Sequence, residues 1–384
     1  MPSLLRDARF RAAVAQAVVL ALLVWLVGNA VWNALDAMAR QGMSTGFGFL
    51  GRPAGFEVPQ ALIPYTRNVS TAGRAVGVAL LNTLVVFAAS AILATLFGFV
   101  AGIARLSPNP VLWRAAAAYV GLARNLPLLL VVFFFYFGVI KTLPAPRNGF
   151  SALGLLFLNN RGLSLPVPND TLVLPGFVLF LALLLILWRL GGRLLARRAE
   201  QRGGGSPALL PFLLFLAAAL SGAAAVAALA DWDVPRHAGF NVTGGTTLIP
   251  ECVALIVALA TYYGTYIAEI VRGGVLSVGH GQIEAARALG LRRGLMLRLV
   301  VVPQAMRAIV PPLTSQYVNI VKNSALGATI GYPELFTILG GKIINETGQA
   351  IEPIALLVVI YFAVNAVVSA LMNLYNRRVQ FAER

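Results

Sequence analysis

The polar residues with the clearest chemical implication lie inside an apolar stretch, residues 309–331. This stretch contains Asn319, Lys322, Asn323 and Ser324. A lysine in the middle of a membrane-spanning helix costs about 2.5–3.5 kcal/mol on insertion scales, so its ammonium group is expected to face a wet cavity or a partner. A helix that tolerates so many polar groups is typical of a pathway lining. A buried hydrogen-bond network between helices is the alternative.

A second charged pair occurs in an earlier apolar run. Glu269 and Arg272 are three residues apart, a spacing that brings two side chains to the same face of a helix. The spacing predicts either a local ion pair near one end of the helix or a carboxylate that faces the translocation pathway. The sequence leaves both possibilities open.

No pattern for enzymatic catalysis accompanies these residues. The closest match to a Walker A loop, residues 340–343, lacks the Ser or Thr that would hold Mg²⁺ and the upstream glycine. Residues 46–51 match GxGxxG only in form, because an apolar helix precedes them and a proline-containing loop follows. Only His237 and His280 occur, with no cluster at metal-ligand spacing. We therefore expect no catalytic site, no metal and no cofactor on this chain, and any ATP must be hydrolysed by another polypeptide.

The composition indicates an integral membrane protein. Hydrophobic residues make up 59% of the chain and charged residues only 11%, whereas soluble domains carry about 25% charged residues. The net charge of +16 does not indicate nucleic-acid binding, because the basic residues stand at the ends of apolar runs and their partner is the lipid bilayer. Eight runs are long enough to span a membrane, near residues 12–34, 78–103, 116–140, 171–190, 208–230, 248–271, 309–331 and 352–375.

The distribution of basic residues predicts the orientation. With the N-terminus inside, about two thirds of the 30 Lys and Arg residues fall on the inner side, and Lys and Arg are enriched in cytoplasmic loops. Both termini and residues 281–303 are therefore expected in the cytoplasm. The first run follows Arg6, Arg9 and Arg11 and has about 20 apolar residues, longer than the 7–15 of a signal peptide. It predicts an uncleaved first helix.

Two apolar regions suggest how the helices are arranged. Ser90, Ala94, Gly98 and Gly102 place a small residue at every fourth position, which lets another helix approach closely. The runs within residues 171–230 are almost free of polar groups, and we interpret them as a peripheral two-helix insertion into a five-helix core. Asn125-Leu126-Pro127 is expected to break the entry to the third run, because proline kinks a helix.

Residues 281–303 look like a soluble segment inside this membrane protein. Glu284, Ala285 and Ala286 belong to a stretch of high helix propensity, and Gly290 is expected to end that helix. A second amphipathic segment then runs to Pro303. Two short helices with an elbow form a compact knob suited to a partner's cleft. An ordinary helical hairpin between two spans is the alternative.

The spacing of Glu284-Ala285-Ala286, Gly290 and Pro303 resembles the "EAA" coupling loop of ABC importer membrane subunits. Further segments resemble the polar amino acid uptake branch, and more narrowly the longer of the two permease subunits of general L-amino acid transporters. These segments are Leu81-Asn82-Thr83, Arg124-Asn125-Leu126-Pro127, residues 268–274, Lys322-Asn323-Ser324 and residues 313–317. One departure is Asn125-Leu126, where the wider branch commonly has Gly-Thr.

The resemblance implies an all-α integral membrane protein of about eight transmembrane helices, with a type I ABC importer permease core and a two-helix insertion. It implies an N-terminal helix and periplasmic segment at residues 1–77. A transmembrane domain follows at 78–376, with the inserted helices near 171–230 and the coupling loop at 281–303, and then a cytoplasmic tail at 377–384. The implied location is the bacterial inner membrane.

The same resemblance implies the partners and the mechanism. The partners would be a second permease subunit, two ATP-binding cassette subunits and a periplasmic amino acid-binding protein. The ATPase subunits would push the coupling loop and so alternate the access of the pathway. A zwitterionic amino acid needs a cation and polar acceptors, for which Glu269, Asn319, Lys322, Asn323 and Ser324 are the candidates.

Two other functions were considered from the residues. An ion-coupled secondary amino acid transporter would need inverted repeats and buried carboxylates. The two halves show no repeat, and acidic residues within the spans are scarce. A non-transporting scaffold would not need the polar run at 309–331.

Overall fold

The computed structural model describes residues 8–40, 46–170, 172–201 and 209–379. Two features named in the sequence lie outside these ranges. They are Arg6 and the end of the tail at 380–384.

Helices dominate the described residues. The α-helices are α1 (Ala8–Arg40), α2 (Ala72–Ala104), α3 (Pro110–Arg124), α4 (Leu128–Phe133), α5 (Val173–Gln201), α6 (Leu209–Leu229), α7 (Pro250–Leu276), α8 (His280–Ala288), α9 (Arg293–Met296), α10 (Val302–Asn323), α11 (Ile344–Thr347) and α12 (Ile351–Val379). Wider π-helical turns occupy Phe134–Ile140, Leu297–Val301 and Phe336–Ile343, and tighter 3₁₀ turns occupy Phe47–Gly51, Pro146–Asn148 and Ser324–Ile330.

Six helical stretches in the described part of the chain are long and apolar enough to cross a membrane. They are Phe10–Asn33, Ala72–Ala104, Pro175–Gly192, Pro250–Leu276, Arg293–Ile330 and Ile351–Arg377. A seventh span results if the bent pair Pro110–Arg124 and Leu128–Ile140 is one span, and its break lies at Asn125-Leu126-Pro127, as the proline predicts. In the fifth predicted run, residues 208–230, the described apolar helix Leu213–Leu229 is shorter than a full span.

The chain divides into two compact units, one of residues 1–131 with 256–384 and the other of residues 132–255. In the first unit the predicted small-residue ridge of α2 packs against α7. A Cβ atom added at Gly98 would lie 2.5 Å from the Ile267 Cβ atom, and one added at Gly102 would lie 2.8 Å from the Ala268 carbonyl oxygen. Gly264 on α7 is equally crowded, because a Cβ atom added there would lie 2.7 Å from Tyr119 Oη. The two helices are therefore close because these positions carry no side chain, which confirms the prediction.

The opposite end of the first unit contains a compact apolar core. It is formed by buried residues from in and around the 3₁₀ turn Phe47–Gly51, the start of α2, the π-helical turn Phe336–Ile343 and α12. These residues are Phe49, Ala54, Ala72, Ala75, Val76, Ala79, Leu335, Ile338, Leu339, Ile343 and Leu357. Thr71 caps α2, with its hydroxyl accepting a hydrogen bond from the Arg74 backbone N–H at 3.2 Å. This core fixes residues 46–71 against the start of α2, so α2 begins at Ala72 and not at residue 78.

The second unit contains strands that the sequence analysis did not predict. Strands β1 (Phe150–Ala152), β2 (Leu156–Asn159), β3 (Gly162–Leu165) and β8 (Thr246–Leu248) form one antiparallel sheet in the order β1-β2-β3-β8. Strand β4 (Val167–Pro168) pairs with β5 (Trp232–Asp233), and β6 (Arg236–Ala238) pairs with β7 (Asn241–Thr243). The all-α expectation holds for the segments that cross the membrane and omits these connecting strands.

The strand pairing also accounts for the insertion. The helices α5 and α6 lie between β4 and β5 in sequence, and these two strands are neighbours with Val167 opposite Asp233. The chain therefore leaves the sheet, forms two helices that contact each other, and returns to the same place. Such an excursion adds helices without changing the elements before and after it.

Candidate functional site

A cluster of tyrosine and asparagine side chains joins α7 to α10. The Asn323 side-chain N–H donates a hydrogen bond to the Tyr263 hydroxyl and a second one, at 3.1 Å, to the Asn319 carbonyl oxygen. On the same part of α7, the Tyr262 and Tyr266 hydroxyls lie 3.0 Å apart. We call these five residues the tyrosine–asparagine cluster. It combines hydroxyl and amide groups with aromatic rings within a membrane-crossing helix pair.

A cation from a third helix stands beside this cluster. The Arg124 guanidinium group, at the end of α3, lies 5.2 Å from the centre of the Tyr266 ring, within the range of a cation–π interaction. Arg124 belongs to the quoted Arg124-Asn125-Leu126-Pro127 segment, but the sequence assigned it no role. The aromatic run Tyr262-Tyr263 and Tyr266 was visible in the sequence and was not included among the candidates.

The predicted site residues of α10 have different surroundings. Lys322 is exposed and makes no hydrogen bond or ion pair among the described residues, whereas Asn319 and Asn323 are half-buried. Ser324 is fully buried, and its hydroxyl donates to the Val321 carbonyl oxygen at 2.7 Å. The structure therefore places Asn323 in the cluster through its side chain and Asn319 through its backbone carbonyl, and it leaves Ser324 in the packed interior.

Glu269 lies in an ion-pair triad. One carboxylate oxygen accepts a hydrogen bond from Arg105, at the C-terminal end of α2, and the other accepts one from Arg272 Nε at 3.0 Å. The expected local pair with Arg272 is present, and Arg105 adds a contact between helices. Each carboxylate oxygen therefore already accepts one hydrogen bond from a guanidinium group. The triad ties α2 to α7, and the assignment of Glu269 to the pathway stays a prediction.

Residues 281–303 fold as two short helices with an elbow, and we call this segment the knob. Helix α8 begins at His280, and Gly290 has φ +72°, a backbone conformation that favours glycine. The Leu291 N–H donates to the Ala286 carbonyl at 3.1 Å and the Gly290 N–H to the Arg287 carbonyl at 2.9 Å. This pair of bonds is the Schellman motif that ends helices.

The knob presents a mixed apolar and basic surface. Glu284, Ala285 and Gly290 are exposed, Ala286 is buried, and Pro303 is half-buried in the first turn of α10. Leu289, beside the elbow, is 80% exposed. The exposed charged and apolar residues around it are Arg287, Arg292, Arg293, Leu295, Arg298 and Leu299. An apolar centre with a charged rim is typical of a protein docking surface.

The knob is continuous with the helix that carries the cluster. Residues Arg293–Ile330 form one helical stretch of 38 residues, which includes α9, a π-helical turn and α10. At 1.5 Å per residue, Asn323 lies about 45 Å along this stretch from Arg293. A displacement of the knob would therefore move the helical stretch that contains Asn319 and Asn323.

A buried polar node at the far end of α2 was missed by the sequence analysis. The Asn82 side-chain N–H donates to the Gln60 carbonyl at 2.8 Å and to the Pro333 carbonyl at 2.9 Å, and the Tyr332 hydroxyl donates to the Asn82 carbonyl at 3.2 Å. The Thr83 hydroxyl accepts from the Leu335 N–H at 3.1 Å. Asn82 and Thr83 were quoted for the resemblance alone, and except for Gln60 their partners are about 250 residues away.

Glu334 is the fully buried carboxylate next to this node. It accepts hydrogen bonds from the backbone N–H groups of Phe336 and Thr337, both at 2.7 Å, and from the Tyr361 hydroxyl of α12 at 2.9 Å. It therefore caps the π-helical turn at Phe336–Ile343 and joins it to α12. Burial raises the pKa of Glu334 to about 7, against the opposing effect of these donors.

Comparisons with known proteins find one matching family model and several similar relatives. A family model described as "Binding-protein-dependent transport system inner membrane component" matches residues 161–381. The chain is 44% identical to the "Putative amino-acid ABC transporter permease protein YhdX" of Escherichia coli, over 95% of this chain and 92% of that protein. It is 39% identical to the "General L-amino acid transport system permease protein AapQ" of Rhizobium johnstonii, over 100% of this chain and 95% of that protein.

One further relative and one solved structure are similar. The "Glutamate/glutamine/aspartate/asparagine transport system permease protein BztB" of Rhodobacter capsulatus is 38% identical, over 99% of this chain and 96% of that protein. The "Crystal structure of an amino acid ABC transporter with histidines" aligns with a TM-score of 0.48 and 21% identity, over 80% of this chain and 94% of that chain.

Proposed function

The chain belongs to the family of binding-protein-dependent transport system inner membrane components, a family of multi-pass ABC transporter permeases, and from this premise we propose that it is the pathway-forming subunit of an ATP-driven importer of L-amino acids. The names of three relatives that align over nearly their whole length support amino acids as the cargo. ATP would be hydrolysed by partner subunits.

The continuous helix from the knob to the tyrosine–asparagine cluster is the observation that carries this proposal. An importer subunit without its own ATPase must receive mechanical work at one surface and deliver it to the pathway. The exposed knob offers the surface, and the 38-residue stretch Arg293–Ile330 offers a direct connection to Asn319 and Asn323. In the proposed cycle, closure of two ATPase subunits pushes the knob, rotates α10 and turns the pathway outward.

The proposed substrate site is the tyrosine–asparagine cluster with its neighbouring cations. Lys322 and Arg124 supply positive charge for a carboxylate, and Tyr266 offers an aromatic face and a hydroxyl for an ammonium group. Asn319 and Asn323 supply amide groups in the half-buried part of α10. Glu269 and Ser324 are left out of this proposal, because the triad and the helix interior occupy them.

The proposed assembly follows from the charge distribution and the resemblance. Both termini and the knob would lie in the cytoplasm, and the residues between α1 and α2 would lie in the periplasm of a bacterial cell. The partners would be a second permease subunit in a heterodimer, two ATP-binding cassette subunits at the knobs and a periplasmic amino acid-binding protein on the opposite side.

Reconstitution tests this proposal against an ion-coupled secondary transporter. Proteoliposomes would contain the chain with its proposed partner subunits, and uptake of labelled L-glutamate and L-glutamine would be measured. We expect uptake only when ATP and the binding protein are both supplied. Uptake driven by a sodium or proton gradient without ATP would contradict the proposal and favour the secondary transporter.

A further inference from the structure

A small pocket in the first unit lies at the end of α2 opposite the knob. Its cavity is about 260 Å³, and its walls come from residues 49–56, the start of α2 at Ala72 and residues 343–347. The C-terminal end of α2 carries Arg105 of the triad, and α2 is 33 residues long, so the pocket and the triad are about 50 Å apart. The pocket is therefore separate from the tyrosine–asparagine cluster.

Two opposite charges line this pocket. Arg52 and Glu346 both contribute to its walls, and both side chains are exposed. Within the described residues neither forms an ion pair, either with the other or with a third group. Arg52 and Glu346 therefore share a small cavity without forming an ion pair with each other. This arrangement leaves space for a ligand that carries one negative and one positive charge.

The backbone approaches the carboxylate side of the pocket closely at Gly55. A Cβ atom added at Gly55 would lie 2.3 Å from Glu346 Oε1, so the Glu346 side chain lies directly over the glycine backbone. Gly55 has φ +76°, a conformation that also favours glycine, and its carbonyl accepts a hydrogen bond from Arg67 Nε at 2.8 Å. The loop is thus shaped to bring a residue without a side chain beneath the carboxylate.

The floor of the pocket is buried and apolar. Phe49 and Ala54 are buried in the core described above, Ile343 is buried at the end of the π-helical turn, and Phe56 packs against the same core. The Thr347 hydroxyl donates to its own helix, to the Ile343 carbonyl at 2.7 Å. An apolar floor with a few converging polar groups is the usual construction of a small-molecule site.

We propose that this pocket binds the main-chain groups of a free α-amino acid. Arg52 would hold the α-carboxylate, because a guanidinium group matches the two oxygens of a carboxylate. Glu346 would accept hydrogen bonds from the α-ammonium group. The cavity is slightly smaller than the range of about 300–1,000 Å³ for drug-sized ligands and has room for a ligand of the size of an amino acid.

The inference goes beyond the proposed function and does not depend on it. Under the proposed orientation, the pocket would be a second, external site for the cargo class, distinct from the pathway. The binding itself requires only the two charges and the cavity. A failure of ATP-driven uptake would therefore leave this proposal standing, and a failure of binding here would leave the transport proposal standing.

Saturation-transfer NMR on the full-length chain in lipid nanodiscs tests the proposal. The probes are L-alanine, which carries both charges, propionate, which carries only the carboxylate, and ethylamine, which carries only the ammonium group. We expect saturable binding of L-alanine, and binding weaker by about tenfold or more for each single-charge probe, because each lacks one charged hydrogen-bonding partner.

Variants locate the binding. Arg52→Gln and Glu346→Gln should each weaken L-alanine binding by about tenfold or more. The matched controls are Arg74→Gln and Glu57→Gln, which change an exposed residue of the same type outside the pocket lining and should leave the affinity unchanged. Arg52→Lys keeps the charge and should retain part of the affinity.

Three results would overturn the proposal. The first is the absence of saturable L-alanine binding to the unmodified chain. The second is equal affinity for L-alanine and propionate, which would assign the pocket to simple anions. The third is unchanged L-alanine binding in both pocket variants, when size-exclusion chromatography shows that the variants elute like the unmodified chain. That result would place the binding elsewhere on the chain.

Discussion

The ion-pair triad of Glu269 provides the sharpest quantitative prediction. Glu269→Gln removes the charge that holds Arg105 and Arg272 while keeping the size of the side chain. The Arg105 and Glu269 side chains are 18% and 24% exposed, so this pair is largely shielded from solvent, whereas Arg272 is 36% exposed and its share is discounted. A hydrogen bond to a charged group contributes about 1.5–3 kcal/mol, and an exposed pair about 0.3–0.5 kcal/mol. We expect a loss of about 2 kcal/mol in unfolding free energy.

A double-mutant cycle in mixed micelles measures this loss. Unfolding free energies would be compared for the unmodified chain, Glu269→Gln, Arg105→Gln and the double variant. A coupling free energy of about 1–2 kcal/mol is expected, because contacting charges do not add independently. The triad would be refuted as a structural tie if Glu269→Gln left stability unchanged and reduced transport. That result would return Glu269 to the pathway, the alternative that the sequence left open.

The remaining predictions concern three sites. Asn323→Ala removes the contact with Tyr263 and is expected to raise the KM for uptake by about fivefold or more without loss of assembly; unchanged uptake kinetics would remove Asn323 from the site. Gly98→Leu forces a side chain into the α2–α7 contact and should destabilise the chain by about 1–3 kcal/mol in the same micelle assay. Gly28→Leu is the control, because open space surrounds Gly28, and it should destabilise the chain by less than about 0.5 kcal/mol. Equal losses of stability would refute the close approach of α2 and α7. Burial raises the pKa of Glu334 to about 7, so its contribution to the free energy of unfolding is complete below the unfolded pKa near 4.5 and is lost as the pH rises through 7. Glu334→Gln should therefore reduce the difference in the free energy of unfolding between pH 5 and pH 8. An unaltered difference would contradict the raised pKa.

Local patterns predicted the elements that depend on short stretches of sequence. Gly290 ends α8 because only the adjoining residues are needed for a Schellman motif, and the four-residue spacing from Ser90 to Gly102 marks the packed face of α2. Pro127 breaks its run for the same local reason. Each of these features needs no knowledge of distant residues.

Contacts between distant residues were not predictable in the same way. Arg105 meets Glu269 across 164 positions, and Asn82 meets Pro333 across 251, so no local spacing signals either contact. The same reason explains why Ser324, which looked polar and available, proved to be buried. The strands between residues 150 and 248 were hidden because each has only two to four residues, too few for a visible alternation.

Contact between the knob and an ATPase subunit is the central claim of the proposed function. The most direct test places a cysteine at Leu289, the exposed residue beside the elbow, in a Cys252→Ser background, since Cys252 is the one natural cysteine. A photoreactive probe on this cysteine should crosslink to the ATP-binding subunit in intact membranes, and the yield should change when ATP is added. A probe at Leu153, which is 94% exposed in the other unit, is the matched control and should not crosslink to that subunit. Labelling of Leu289→Cys from the periplasmic side, or no crosslink to any nucleotide-binding protein, would contradict the account.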